Sequence, residues 1–192
     1  MRSFKSVYSK VDEYYTPKIL VDILLPYLDE KFHGNGKFYC PFDMDNSEYV
    51  LTFKESGYDV INGHIDNGQD FFSYDIPADI DMVISNPPFS RKLDVFKKCI
   101  NENKPFALLM NMMAINYQEI GELFVSIGKD IQFLIPDKKV SFNGKTSSFC
   151  SGYVCYKFIE QTEFIHLPHN NCGINFVPSR MEILKSDKSK LF

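Results

Sequence analysis

The run KPFALLMNMM, residues 104–113, places apolar side chains at consecutive positions with almost no polar interruption. A strand with one wet face alternates polar and apolar residues, whereas a strand covered on both faces does not. A segment like this needs packed layers above and below it. Other short apolar runs recur along the chain: KFYCPF (37–42), YDVING (58–63), DIDMVISN (79–86), IQFLIP (131–136), GYVCYKFIE (152–160) and TEFIHLP (162–168). The last two are expected to pair as a hairpin. Between the runs lie segments with helical spacing, such as Leu93, Phe96 and Ile100. In residues 16–32 the apolar positions are Ile19, Leu20, Ile23, Leu24, Tyr27 and Leu28. Thr16 is the expected cap there, with Pro17 at the first helical position and Pro26 as a kink. Strands alternating with helices of crossover length predict an α/β domain, with a mainly parallel seven-stranded sheet and helices on both faces.

Composition narrows the class. The 192 residues suffice for one domain, and 44 % hydrophobic with 24 % charged residues is a globular balance. Residues 1–160 are expected to form the main domain, and residues 161–192 to extend it. The net charge of −4 excludes an overall basic footprint, so any nucleic-acid contact needs a local patch. The five cysteines are scattered, and the opening MRSFKSVYSKVDEYY has no apolar secretory core. No run approaches membrane-spanning length, so a cytoplasmic protein without a membrane partner is expected.

Ligands of parallel sheets sit beyond the carboxyl ends of the strands. Three loops meet that description: CPFDMDNS (40–47), GHIDNGQDFF (63–72) and the segment Asn86-Pro87-Pro88-Phe89. Two prolines cannot continue a sheet ladder, so they stiffen the exit from the strand. An amide and an aromatic ring are thereby held at fixed spacing. The Asn86 side-chain oxygen and the Pro87 carbonyl can accept from an exocyclic amine, freeing its lone pair for attack on a methyl donor. Phe89 can stack on the base, which must first leave a duplex.

These residues resemble the S-adenosylmethionine-dependent adenine-N6 methyltransferases, in the gamma order of motifs and the small phage or prophage type. The resemblance spans roughly residues 12–158. It implies that residues 1–160 are a Rossmann-like methyltransferase catalytic domain, that residues 161–192 extend it with no separate target-recognition domain, and that it transfers a methyl group to N6 of adenine in nucleic acid, DNA rather than RNA. It implies that Asn86, Pro87, Pro88 and Phe89 hold the target amine and ring, and that Phe142 in KKVSFNG contacts the base. YYTPKILVD (14–22) looks like the motif that contacts S-adenosylmethionine, through Tyr15, Thr16 and Pro17. Pro41, Asp43, His64, Asp70 and Phe71 complete the implied cofactor set. There are two departures. The glycine-rich loop after the first strand becomes CPFDMDNS, which keeps Pro41 and Phe42 but no glycine; Asp45 and Asn46 tolerate unusual φ better than most residues. The acid that holds the cofactor ribose is replaced by His64, with Asp66 two residues on.

Two other readings stay open. One is a methyltransferase-like protein that has lost the cofactor and binds nucleic acid or a partner as a decoy or regulator. The other is an RNA (tRNA) adenine-N6 methyltransferase. Lys92 and Lys139 are candidate phosphate contacts beside the pocket, with Arg91, Lys138 and Lys145 nearby in sequence. Ser47 or Asn46 is expected to cap the helix after the first strand. Cys150, Cys155, His166, His169 and Cys172 fit zinc spacing only loosely, and no metal is expected.

Overall fold

The computed structural model describes residues 15–142 and 150–167. Each apolar run forms a strand: β1 Lys37–Cys40, β2 Asp59–Asn62, β3 Met82–Ser85, β4 Phe106–Asn111, β5 Ile131–Pro136, β6 Ser151–Tyr156 and β7 Glu163–Ile165. They make one seven-stranded sheet in the order β2-β1-β3-β4-β6-β5-β7. β6 runs antiparallel to both its neighbours, β4 and β5. The other pairings are parallel. The expected β6–β7 hairpin does not form. Both edges of β6 are already hydrogen-bonded, so β7 adds instead to the free edge of β5, with Ile135 opposite Phe164.

The helices are α1 Lys18–Asp22, α2 Leu25–Phe32, α3 Glu48–Glu55, α4 Lys92–Asn101 and α5 Gln118–Ile127. Side-chain alternation sorts them onto two faces. Met82, Ile84, Ala107, Leu109, Tyr153 and Cys155 meet α1–α3 through Leu20, Leu24, Leu28, Val50 and Phe53. Their strand neighbours Val83, Phe106, Leu108, Met110, Val154 and Tyr156 meet α4 and α5 through Val95, Phe96 and Ile120. This is the period of two expected of a sheet buried on both faces. Each fully buried Leu, Ile or Phe contributes roughly 1.5–3 kcal/mol of transfer free energy.

Local chemistry explains the helix boundaries. The segment from residue 16 breaks into two helices instead of kinking within one, because Pro26 falls in the first turn of α2, where a missing N–H costs nothing. Pro17, not Thr16, occupies the N-cap of α1, and no side chain caps it. Ser47 caps α3 as expected, its hydroxyl accepting from the Val50 N–H. His33 takes the left-handed turn after α2 with φ of 50°, and Gly34 follows at 79°. Among the described residues no helix is long and apolar enough to cross a membrane.

Candidate functional site

The strand order reverses at β1: β2 lies on one side of it and β3 on the other. Such a switch leaves a crevice beyond the carboxyl ends of the two diverging strands. The chain leaves β1 through Pro41, Phe42 and Asp43, and leaves β3 through Asn86, Pro87, Pro88 and Phe89. The loops are tied across the crevice. Ser85, the last residue of β3, donates its hydroxyl to Asp43. The Asp43 N–H donates to the Gly63 carbonyl at 2.9 Å, and the Gly63 N–H donates to Cys40 at 3.0 Å. Asn62, ending β2, donates to both the Asp43 carbonyl and Asp45, each at 3.1 Å.

Asp43 is the electrostatic centre of this arrangement. Only 8 % of it is exposed. Burial raises its pKa to about 7, against hydrogen bonds from Ser85 and Ser47 that favour the charged form. Ser47 thus serves two elements, accepting from Val50 at the start of α3 and donating to Asp43. Below the loop lies a hydrogen-bonded chain. Tyr153 donates to the Leu20 carbonyl at 2.9 Å. The 2.9 Å contact between the Tyr49 and Tyr153 hydroxyls is therefore donated by Tyr49. Thr16, buried, adds its side chain to Tyr49. Burial pushes both tyrosine hydroxyls well up from their ordinary range.

The remaining candidates divide by position. Asn86 and Phe89 are half-buried, Pro87 is buried, and Phe89–Arg91 forms a single 3-10 turn. His64 follows β2 and turns its Nδ1 onto the Asp66 N–H at 3.2 Å, with the Asp66 carboxylate at 3.6 Å. The Asp70 carboxylate accepts from the Phe72 N–H and the Ser73 hydroxyl, which shapes its own turn. Phe71 is buried, with its ring 5.1 Å from that of Phe42 and 6.3 Å from that of Tyr39. Phe72, the neighbouring ring, is only half-buried and receives the Arg91 guanidinium at 3.7 Å. Tyr15 is exposed and Pro17 half-buried at the start of α1. Pro41, Asp43, His64 and Asn86 to Phe89 thus follow the carboxyl ends of β1, β2 and β3, and Phe71 packs on Phe42 of the first of these loops, while Asp70 is tied within its own turn.

Phe142 and Lys139 stand apart in sequence and sheet position. Both follow β5, which is separated from β3 by two intervening strands, about 14 Å at ordinary strand spacing. Phe142 packs half-buried on the α1–α3 side, and Lys139 is exposed. Lys92 begins α4 with its Nζ 4.7 Å from the Tyr117 ring centre, and burial lowers its pKa. Of the loose Cys/His group, Cys155 is buried in β6, Cys150 is exposed, and His166 pairs with Asp137. His169, Cys172, Tyr14 and Lys145 lie outside the described residues. Among the described residues no cluster of His, Cys, Asp and Glu could hold a metal ion. Sequence reasoning missed Ser85 and Asn62. The available signal for Ser85 was a polar side chain closing a fully buried strand, MVIS; DVIN, with only Val60 buried, carries no such signal for Asn62.

No protein-family model matches the chain, and no curated protein matches it. Solved structures do. One, described as a modification subunit of a type I restriction enzyme from Vibrio vulnificus YJ016, superposes with a TM-score of 0.59 at 10 % identity. The match covers 96 % of this chain and 54 % of that one, so the chain spans about half the length of that protein. Another, described as a class I S-adenosylmethionine-dependent methyltransferase from Listeria monocytogenes, gives a TM-score of 0.49 at 12 % identity, covering 83 % of this chain and 67 % of that one. At such identity the likeness is one of fold, and the chain is a Rossmann-like α/β domain.

Proposed function

We propose that this chain is an S-adenosylmethionine-dependent methyltransferase acting on the N6 amine of adenine in DNA. The observation that carries the reading is the placement of Asn86-Pro87-Pro88-Phe89 at the end of β3, beside the switch-point crevice and tied through Ser85 to Asp43. Part of the donor set suits the cofactor. The exposed Asp66 is an acceptor for ribose hydroxyls, and the half-buried Phe42, packed on the buried Phe71, offers an aromatic edge for its adenine. When bound, S-adenosylmethionine supplies an electrophilic methyl group on sulfur. The chain's own part is to orient the amine. The Asn86 amide oxygen and the Pro87 carbonyl accept its two N–H groups, so the nitrogen lone pair turns out of conjugation toward the methyl carbon. The amine proton released after transfer passes to solvent. Phe89 holds the ring face, and Lys92 meets the backbone. Phe142 and Lys139 are assigned to base and backbone on resemblance alone.

One observation favours the cofactor-free reading. The β1 loop carries no glycine, and the Asp43 N–H, carbonyl and carboxylate are all hydrogen-bonded within the chain. Calorimetric titration with S-adenosylmethionine, paired with labelled-methyl transfer to DNA and RNA, separates the readings. The expected result is cofactor binding and methyl transfer to adenine in DNA. Asn86→Ala should lower the transfer rate about 100-fold or more and leave cofactor affinity intact. A folded chain that binds no cofactor would overturn the proposal in favour of a binding protein, and transfer to RNA alone would reassign the substrate.

A further inference from the structure

The surface beside the Asn-Pro-Pro-Phe turn joins cations to aromatic rings, one of them exposed. Phe89 opens a 3-10 turn and Lys92 follows three residues later at the start of α4. Lys92 lies over Tyr117, which is 60 % exposed. Met113, in the same β4–α5 connection, is 66 % exposed. Arg91 covers the half-buried Phe72 and also pairs with Asp94 at 2.9 Å.

We propose that this strip receives an unpaired DNA strand, so that the substrate of the site is single-stranded adenine rather than adenine in a duplex. The inference rests on the methyltransferase reading for the choice of DNA. Paired DNA keeps its base faces stacked internally and is gripped mainly by cations that follow its phosphates. Among the described residues the strip supplies few of these: Lys92 and Arg91, the second shared with Asp94, on a chain of net charge −4. What it supplies is ring and thioether surface, which an unpaired base can cover and a paired base cannot. Stacking of this kind is indifferent to base identity and is worth about tenfold or more in affinity for each base. An unpaired strand also removes the cost of extruding the target from a helix.

Fluorescence anisotropy on the full chain tests this without a methyl donor, using one labelled adenine-containing oligodeoxynucleotide, its duplex, and the RNA of the same sequence. The single DNA strand should bind at least tenfold more tightly than the duplex. Tyr117→Ala should weaken strand binding about tenfold. Tyr117→Phe should retain it, and Phe164→Ala, a still more exposed ring on the far sheet edge, should leave it unchanged. Duplex binding as tight as strand binding, tighter binding of the RNA, or a Tyr117→Ala protein that binds like the parent would overturn the inference. Methyl transfer to duplex DNA alone would also sink it while leaving the methyltransferase reading standing. Strand preference with no transfer to any nucleic acid would overturn the methyltransferase reading and the substrate assignment with it, and leave only a strand-binding surface.

Discussion

Asp43 shows how burial converts an ordinary carboxylate into a group that titrates near neutrality. Its pKa rises from 3.8 to about 7 because the surrounding strand ends and α3 remove water faster than two hydroxyl donors can replace it. A carboxyl whose pKa is higher in the folded chain binds its proton preferentially there. Its contribution is therefore complete below about pH 4 and is lost as pH climbs through about 7. Removing the titration isolates the effect. Asp43→Asn should flatten that part of the pH profile, and its stability relative to the parent should improve by up to about 1.4 kcal/mol per pH unit between pH 4 and 7. Urea midpoints at several pH values read this directly, and parallel profiles for the two proteins would contradict it. At this scale the sequence was partly informative. Asp43 stood out as a candidate from its place after KFYCPF, and Ser47 as a cap. Its partner Ser85 could not be identified, because the two residues lie 42 apart in the chain and meet only once β1 and β3 pair.

Among the elements, β6 is the most constrained. It is buried along its whole length and fills the space between β4 and β5. Gly152 lets it do so: a Cβ there would sit 2.8 Å from the Met112 sulfur and 3.0 Å from the Leu134 carbonyl oxygen. The methionine can swing away, but the backbone oxygen of a paired strand cannot. Gly152→Ala should destabilise the fold by about 1–3 kcal/mol. Gly121, inside α5, is the contrast, since a Cβ there meets nothing closer than 3.8 Å. Gly121→Ala should stabilise by up to about 1 kcal/mol. Denaturant midpoints at constant m-value would distinguish these outcomes, and a neutral Gly152→Ala would show that β6 yields more readily than its contacts indicate. The strand and helix segments were legible as elements because each carries its own period of hydrophobicity. The partner of β7 was not. A hairpin is the default for two adjacent strands, and only the prior occupation of both β6 edges rules it out.

Across the whole molecule, stability should be graded from the middle of the sheet outward. β4 and β6 are buried on both faces, whereas β7 has three residues and carries Phe164 73 % exposed at the edge. Amide exchange followed by mass spectrometry should therefore find the slowest amides in β4 and β6 and the fastest in β7. Equal protection of β7 and β4 would mean that the edge is covered by something beyond these contacts. The layered architecture itself was readable from residues 104–113, because a run without polar alternation cannot be folded with a wet face. So was the convergence of three loops on one end of the sheet, since parallel strands send all their carboxyl ends the same way. The sequence by itself determined the elements, their class and the stiff Asn-Pro-Pro-Phe corner, all of which depend on side chains close along the chain. Only the tertiary structure decided strand order, the crossing from Ser85 to Asp43, and the facing of Lys92 with Tyr117. Those depend on which strand edges and loop ends remain available to one another once the chain has collapsed, a matter of exclusion in space that no local pattern encodes.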